Sequence, residues 1–296
     1  MKFSKERLLT AVFSYFGRCP TPTRLRWARV LGWLTPRLLR SRAHIVRTNL
    51  ALCFPDLSEK ERQAILARHF RLLALSVLDR GVIWFAPPER LLETVQITGM
   101  DHLHTLIAAK RPVIMLAPHF IALDAAASRV TYSLDAAATI YSQQSDPDFD
   151  AMMRKGRSRF NTIYLISRRE GVRGLIRLLR KGVPLYYLPD MDFGREGAVF
   201  VPFFGVQAAT LLATAQIAKN WDAAVVPIVS RLDPETGQYQ VQVLPALEDF
   251  PGEQSLEDAT ARLNQLIESW VRPDPAQYYW VHRRFKTRPE GEPRPY

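Results

Sequence analysis

The spacing of apolar residues changes near residue 87. Ser58-Glu59-Lys60-Glu61 has the form of a capping box, in which Ser58 begins a helix and Glu61 completes its first turn. Apolar residues then recur at helical spacing to about Phe85, and Pro87-Pro88 ends the run. The pattern predicts one long helix before the region in which strand-like segments begin.

Short apolar runs alternate with helical patterns after Pro88. The runs are partly β-branched and aromatic, which predicts strands, and the amphipathic stretches between them predict helices. Such alternation is typical of an α/β fold with helices on both faces of a mostly parallel or mixed sheet. The predicted strands are 113–116, 138–141, 162–166, 185–188, 224–229 and 239–244, and the predicted helices are 122–131, 149–160, 172–181, 210–219 and 256–271.

The formal net charge of +11 is concentrated in one segment. Residues 1–50 carry eleven basic residues and one acid, whereas the rest is almost balanced. The apolar residues of this segment include Trp27, Leu31, Leu34 and Leu38, which recur at helical spacing. Arginine interleaved with tryptophan suits an anionic membrane interface, although a helix packed on a protein core explains the pattern equally well.

The N-terminal segment is too short in apolar residues to span a membrane. Residues 8–16 form an apolar run of nine, and a spanning helix needs about 20. We therefore predict a basic amphipathic helical segment at 1–44 that associates with a membrane from the cytoplasmic side. Residues 45–296 are predicted to form one α/β domain.

The composition argues against a metal or disulfide scaffold. Cys19 and Cys53 are the only cysteines, with no paired C-x-x-C spacing, so a reducing cytoplasmic setting is expected. Asp190 and Asp192 precede a glycine, as in a calcium loop, but the other ligands of an EF-hand are missing. We predict no metal and no cofactor.

The best candidate for a general base is His119. It follows the apolar run 113–116, and Asp124 lies five residues later. On a continuous helix two residues at this spacing point about 140° apart, so they meet only across a turn. With His119 in the turn and Asp124 in the first turn of the next helix, the carboxylate can take the Nδ1 proton and leave Nε2 free as a base.

Three other segments offer binding chemistry. Arg154, Lys155, Arg157 and Arg159 form a basic group that either binds phosphate or is a solvated helix face. The segment 200–205, Phe-Val-Pro-Phe-Phe-Gly, is predicted as an apolar loop that walls a lipid site or covers the sheet. Residues 277–289 mix aromatics with Arg283, Arg284 and other cations, which suits lipid headgroups, acidic protein or single-stranded nucleic acid.

An ordered series of these segments resembles the late acyltransferases of lipid A biosynthesis, the lauroyl and myristoyl transferases of Gram-negative bacteria. The resemblance covers residues 45–296, and before residue 45 the match is only in basic and apolar character. Its segments are Asn49 to Pro55, His119 to Asp124, Gly156-Arg157-Ser158-Arg159, Pro189 to Gly194, Phe200 to Gly205 and Tyr279 to Gly291.

The resemblance implies a glycerolipid acyltransferase-like fold and an O-acyltransferase activity. A fatty acyl chain would pass from acyl carrier protein to a hydroxyl of an acyl chain on a Kdo-bearing lipid A precursor, at the cytoplasmic face of the inner membrane. The family's catalytic dyad falls on His119 and Asp124. Its functional arginine falls on Arg157 and its Pro-Asp aspartate on Asp190, and Arg159, Arg283 and Arg284 are further candidates for binding the substrate.

Two departures leave the acyl length and the acceptor position open. Familiar members have Glu where Asp124 stands, and Gln143-Gln144-Ser145 lacks their paired asparagines.

Two other functions compete with this prediction. An acyltransferase of the same fold could act on a lysophospholipid or glycerol phosphate, with acyl-CoA or acyl carrier protein as donor. A basic nucleic-acid-binding protein would also fit the net charge. However, the charge lies on an amphipathic segment, and no KH loop or zinc finger occurs, so nucleic acid is not a predicted partner.

Overall fold

The computed structural model describes residues 5–167 and 172–296, so residues 1–4 of the predicted N-terminal segment lie outside it. The helices of these residues are α1 Lys5–Arg18, α2 Thr21–Leu38, α3 Arg40–Cys53, α4 Glu59–Phe85, α5 Pro88–Thr94, α6 Met100–Ala108, α7 Leu123–Tyr132, α8 Pro147–Arg157, α9 Val172–Leu179, α10 Ala213–Trp221 and α11 Leu256–Val271. The strands are β1 Val95–Thr98, β2 Val113–Leu116, β3 Ala136–Tyr141, β4 Thr162–Ser167, β5 Leu185–Tyr187, β6 Ala198–Phe203, β7 Val206–Leu211, β8 Ala224–Leu232 and β9 Tyr239–Val243.

A central mixed sheet organises the chain. Its strand order is β1-β9-β8-β2-β5-β3-β4. The five strands from β8 to β4 are parallel, whereas β9 runs antiparallel to β8 and pairs in parallel with β1. The predicted α/β class is confirmed, and so is the capping box, since Ser58 accepts from the Glu61 amide. Each predicted strand is present to within three residues, but β1, β6 and β7 were not predicted.

Alternate residues of the central strands face two separate groups of helices. Met115 and Tyr186 lie in one core cluster with residues of α4, α7 and α8. Their neighbours Leu116 and Tyr187 lie in a second cluster with residues of α9 and α10. Because side chains alternate across a sheet, α4, α7 and α8 cover one face, and α9 and α10 cover the other.

The prediction of an apolar loop at 200–205 was wrong. These residues belong to a β-hairpin in which β6 pairs antiparallel with β7 across a two-residue turn at Phe204-Gly205. Both turn residues have positive φ, 51° and 77°, the backbone of a tight hairpin turn. The turn was not recognised from the sequence because Phe204 occupies a position where Asn or Asp is usual. The preceding residue, Phe203, is buried in the core.

The first two helices pack along α4. Gly17 and Gly81 bring α1 and α4 into contact, since a Cβ on Gly17 would lie 2.5 Å from the Gly81 carbonyl oxygen. Arg24 of α2 reaches a fully buried Asp79 on α4, with Nε donating to Oδ1 at 2.6 Å. The predicted boundary at residue 44 falls inside α3, and Phe13 and Leu25 belong to the same core cluster as the sheet.

The apolar stripe predicted on α2 is only partly exposed, since Trp27 and Leu38 face solvent whereas Leu31 and Leu34 are half-buried and Leu31 packs against the core. Leu25, Ala28 and Gly32 are buried, whereas Trp27 is 47% and Trp33 58% exposed. Within residues 5–167 and 172–296, no helix is both long and apolar enough to cross a bilayer. The large apolar side chains exposed on α1, on α2 and at the residue that follows α2 are Leu8, Val12, Tyr15, Trp27, Val30, Trp33, Leu38 and Leu39.

His69 on α4 makes stability depend on pH. Its buried ring lies with Nδ1 3.0 Å from the Ala276 carbonyl oxygen. Burial lowers its pKa from 6.5 to about 4, although the hydrogen bond acts in the opposite direction. Between these pH values the unfolded chain binds a proton that the folded chain does not, so stability falls as the pH drops.

We expect His69→Gln to lose less stability than the native chain between pH 6.5 and pH 5, measured as the free energy of unfolding in urea. The pKa of His282 is also lowered to about 4, so part of the decline should remain. The exposed His104 supplies a matched control, His104→Gln. An unchanged pH dependence in His69→Gln would contradict this assignment.

Candidate active site

His119 and Asp190 meet at one edge of the sheet. His119 follows β2 and Asp190 follows β5, and these neighbouring strands are parallel, so both chain segments leave the sheet at the same edge. Asp190 Oδ1 lies 2.6 Å from His119 Nδ1, and Oδ2 accepts from the His119 backbone N–H at 2.8 Å. Burial alone would raise the pKa of Asp190, but His119 outweighs it and holds that pKa below its ordinary value.

The predicted contact between Asp124 and His119 is therefore corrected. Asp124 does lie in the first turn of α7, as expected, but the Nδ1 side of the imidazole is occupied by Asp190. Asp124 instead accepts from Arg157, with Nη2 2.7 Å from Oδ1, and from Arg80, with Nη2 3.2 Å from Oδ2. The two arginines outweigh burial and hold the pKa of Asp124 below its ordinary value. Asp124 is an anion between two cations.

A glycine places Arg157. α8 approaches Trp84 so closely that a Cβ on Gly156 would lie 2.4 Å from Trp84 Cγ. The close approach brings the last turn of α8, with Arg157, next to the start of α7 and Asp124. Arg80 also lies against the Trp84 ring, at 5.3 Å from its centroid. The close packing therefore requires glycine at position 156, and it places the neighbouring Arg157 beside Asp124.

The other predicted binding arginines have different surroundings. Arg159 donates to the carbonyl oxygens of Ile83 and Ala86, at the end of α4. Arg284 is 2% exposed and donates to Ala209 and Thr210 of β7. The buried Arg284 therefore serves the fold and is corrected as a substrate ligand, whereas the half-buried Arg159 stays a predicted binding residue. Arg283 is exposed, as a binding residue would be.

The C-terminal segment holds the His119 turn from outside. Tyr279 donates its N–H to the His119 carbonyl oxygen at 2.9 Å, and Ile121 donates to the Gln277 carbonyl oxygen at 2.7 Å. Trp280 and Phe285 are fully buried, so these aromatics cannot serve as an exposed stacking surface for nucleic acid. The mixture of aromatics and cations in 277–289 is largely core.

Asp192 holds the segment that carries Asp190. Its two carboxylate oxygens accept from the N–H and the hydroxyl of Thr287, and its own N–H donates to Nε2 of His282. The Asp192 side chain is buried, and Asp190 is 1% exposed. Hydrogen-bond donors of the protein thus occupy the carboxylates of both aspartates, which hold this loop in place.

A largely apolar cavity of about 600 Å³ is lined in part by His119. Its polar lining includes His119, Asp124, Arg80 and Arg157, whereas much of the remaining wall is hydrocarbon. The volume lies in the ordinary range for a small-molecule site. The apolar wall is formed largely by Leu73, Ile83, Leu123, Ala127, Phe149, Met153, Ile163, Leu165 and Leu188.

Two cavity residues escaped the sequence analysis. Arg80 lies in the middle of α4, 44 residues before its partner Asp124, and no local pattern marks it. Tyr186 lies within β5, and its hydroxyl is buried in the cavity wall without a hydrogen-bond partner among the described residues. Burial raises the pKa of Tyr186 far above its ordinary value, so the hydroxyl stays a donor.

Comparison with known proteins identifies the family. The model of the bacterial lipid A biosynthesis acyltransferases matches residues 6–287. The chain belongs to this family. It is therefore an acyltransferase of lipid A biosynthesis, as the resemblance predicted.

Relatives in Escherichia coli strain K12 differ in the acyl chain that they are named for. The lipid A biosynthesis lauroyltransferase is 36% identical over 94% of this chain and 90% of its own length. The palmitoleoyltransferase is 31% identical over 98% and 97%. The myristoyltransferase is 33% identical over 90% and 82%.

Proposed function

We propose that this acyltransferase moves a fatty acyl chain from the thioester of acyl carrier protein to a hydroxyl of a Kdo-bearing lipid A precursor. The observation that carries the proposal is the His119 imidazole, which is held through Nδ1 by Asp190 and lines a largely apolar cavity. The cavity suits the acyl chain of the donor. No metal or redox cofactor takes part in the proposed chemistry.

In the proposed reaction His119 is the general base. Neutral His119 donates Nδ1–H to Asp190, which leaves the Nε2 lone pair for the acceptor hydroxyl. Nε2 takes the hydroxyl proton as the oxygen attacks the thioester carbonyl carbon. The tetrahedral intermediate then expels the thiolate, which takes a proton from the imidazolium, so the ester and a free thiol are formed. Backbone N–H groups at the start of α7 are the proposed donors to the developing oxyanion.

The arginines are proposed to receive the anionic parts of the substrate. Asp124 fixes Arg157 and Arg80 at the cavity, where one carboxylate leaves the pair of cations with a net positive charge. Arginine binds phosphate and carboxylate through two parallel hydrogen bonds. The exposed Arg283 is a further candidate for the sugar and phosphate groups of the acceptor. In this proposal Asp124 is a positioning residue for the two arginines.

We further propose that the exposed apolar residues of α1 and α2 bind the cytoplasmic face of the inner membrane. Trp27 and Trp33 expose about half of their surface next to Arg26 and Arg29, and Arg37 stacks on Trp33 at 4.0 Å. Tryptophan and arginine together suit an anionic lipid interface. Membrane binding is thus the proposed role of the predicted segment 1–44.

Replacing Trp27 and Trp33 by serine should weaken binding to anionic phospholipid vesicles at least tenfold, because both rings lose their burial in lipid. Sedimentation with vesicles measures the effect. Tyr164→Ser is the matched control, since Tyr164 is an aromatic residue 39% exposed on β4. Vesicle binding that survives the double substitution would contradict the proposed lipid face.

Mass spectrometry of lipid A from cells with and without the protein tests the proposed acceptor. Loss of the gene should lower the lipid A mass by one acyl chain. Unchanged lipid A with altered phospholipids would favour the competing function, acylation of a lysophospholipid or glycerol phosphate.

A further inference from the structure

A second groove lies on the face of the sheet opposite α4. Helices α9 and α10 border it, and it encloses about 780 Å³. One wall carries four cations, Arg173, Arg177, Arg180 and Lys181, whereas the opposite wall contributes neutral residues such as Gln216, Asn220 and Trp221. Among the described residues, none that lines the groove is acidic. Its surface is therefore apolar at the base and strongly positive along one side.

The four cations are exposed to solvent. In the part of the chain that the structure describes, none of them forms an ion pair. Arg173 and Arg177 lie four residues apart on α9, and Arg180 and Lys181 follow in the turn after it, so all four line the same side of the groove. Like charges at this spacing repel, and an external anion would relieve the repulsion.

One end of the groove lies near the acyl cavity. Leu211 lines the cavity, and Ala213, two residues further along the chain, lines the groove. Two residues span at most about 7 Å, so the end of the groove at Ala213 lies close to the cavity wall. Arg180, Lys181 and Trp221 lie at the other end, where α9 and α10 finish. A carrier bound in the groove could therefore deliver a tethered thioester to His119.

A membrane is a poor match for this groove. The proposed lipid face belongs to α1 and α2, which pack on α4, whereas α9 and α10 cover the other face of the sheet. A bilayer bound at α1 and α2 leaves the groove open to protein. Its position between two helices, its apolar residues and its row of cations suit an amphipathic acidic helix.

We propose that this groove docks an acidic helix of the carrier protein that brings the acyl donor. The proposal rests on the proposed function, which makes a protein-bound thioester the donor. Carboxylates of the docked helix would pair with Arg177 and Arg180, and its apolar residues would contact Ile176 and Trp221.

Charge reversal tests the groove. Arg177→Glu with Arg180→Glu should raise the KM for acyl-acyl carrier protein at least tenfold and leave kcat at saturation unchanged. With a small acyl-pantetheine thioester the same variant should match the native protein, because this donor has no protein to dock. The control Lys60→Glu with Arg294→Glu changes the net charge equally at exposed positions elsewhere and should leave both donors unaffected.

The outcomes separate the two proposals. If the native protein uses acyl carrier protein but the reversal leaves its KM unchanged, the groove is not the docking surface. An equal loss with both donors, or a loss of vesicle binding instead, also overturns the docking proposal. If the native protein transfers acyl groups from the small thioester and none from acyl carrier protein, the proposed donor itself is wrong.

Discussion

His119→Ala should lower kcat for acyl transfer by about 10⁴-fold, the upper end of what a positioned general base contributes. The substitution removes Nε2, which is proposed to deprotonate the acceptor hydroxyl, and leaves the cavity walls in place. Transfer is measured with purified protein and a radiolabelled acyl donor. Vesicle binding should stay intact, because the exposed residues of α1 and α2 are untouched.

His104→Ala serves as its control. His104 is exposed on α6, where its Nε2 lies 3.3 Å from the Ser133 carbonyl oxygen, so its removal should not affect turnover. Retained turnover in folded His119→Ala protein would remove His119 from the proposed chemistry.

Asp190→Asn should lower kcat by about 10³-fold through the wrong histidine tautomer. The His119 backbone N–H needs an acceptor, so the amide oxygen of the substituted side chain would take the place of Oδ2. The amide NH₂ would then face Nδ1, which must become an acceptor, and the ring proton would move to Nε2. An imidazole protonated at Nε2 cannot take the acceptor proton.

Asp124→Asn is the informative comparison for Asp190→Asn. The charge of Asp124 holds Arg157 and Arg80, so its loss should weaken acceptor binding without changing the His119 tautomer. Nitrogen-15 NMR of labelled histidine reads the tautomer directly. A tautomer change in Asp124→Asn but not in Asp190→Asn would reverse the roles assigned to the two aspartates.

Much of the fold was readable from local pattern. Ser58 and Glu61 mark the start of α4 because a capping box is a local hydrogen-bond arrangement, and the fully buried strand β2 is bracketed by prolines. The hairpin β6–β7 was missed because its turn residues Phe204 and Gly205 lack the usual polar signal. Strand β1 was missed because its sequence, Val-Gln-Ile-Thr, contains no continuous apolar run.

The site was predictable only in part. The strands that precede His119 and Asp190 were both predicted, and the two residues lie at one edge of the sheet because these strands are parallel neighbours. Which aspartate contacts the imidazole depends on the turn after β2, and this turn is held by Gln277 and Tyr279 from the far end of the chain. Sequence spacing favoured Asp124 because it carries no information about contacts that distant.

Long-range packing also decides the role of the basic residues. Arg157 and Arg159 are two positions apart, yet one reaches Asp124 and the other the end of α4. Both are arginines of the same basic group, so residue type and spacing do not tell which of them reaches the cavity. Only the contact between Gly156 and Trp84 distinguishes the arginine at the cavity from the arginine at the end of α4.

The central claim is that this chain transfers an acyl group to a lipid A precursor with His119 as the base. Its most direct test combines purified protein, acyl-acyl carrier protein and a Kdo-bearing lipid A precursor, with mass spectrometry of the acceptor. We predict an acceptor heavier by one ester-linked acyl chain with the native protein and no change with His119→Ala. An acceptor left unmodified by folded native protein would contradict the account. So would the same amount of acylated product from His119→Ala as from the native protein.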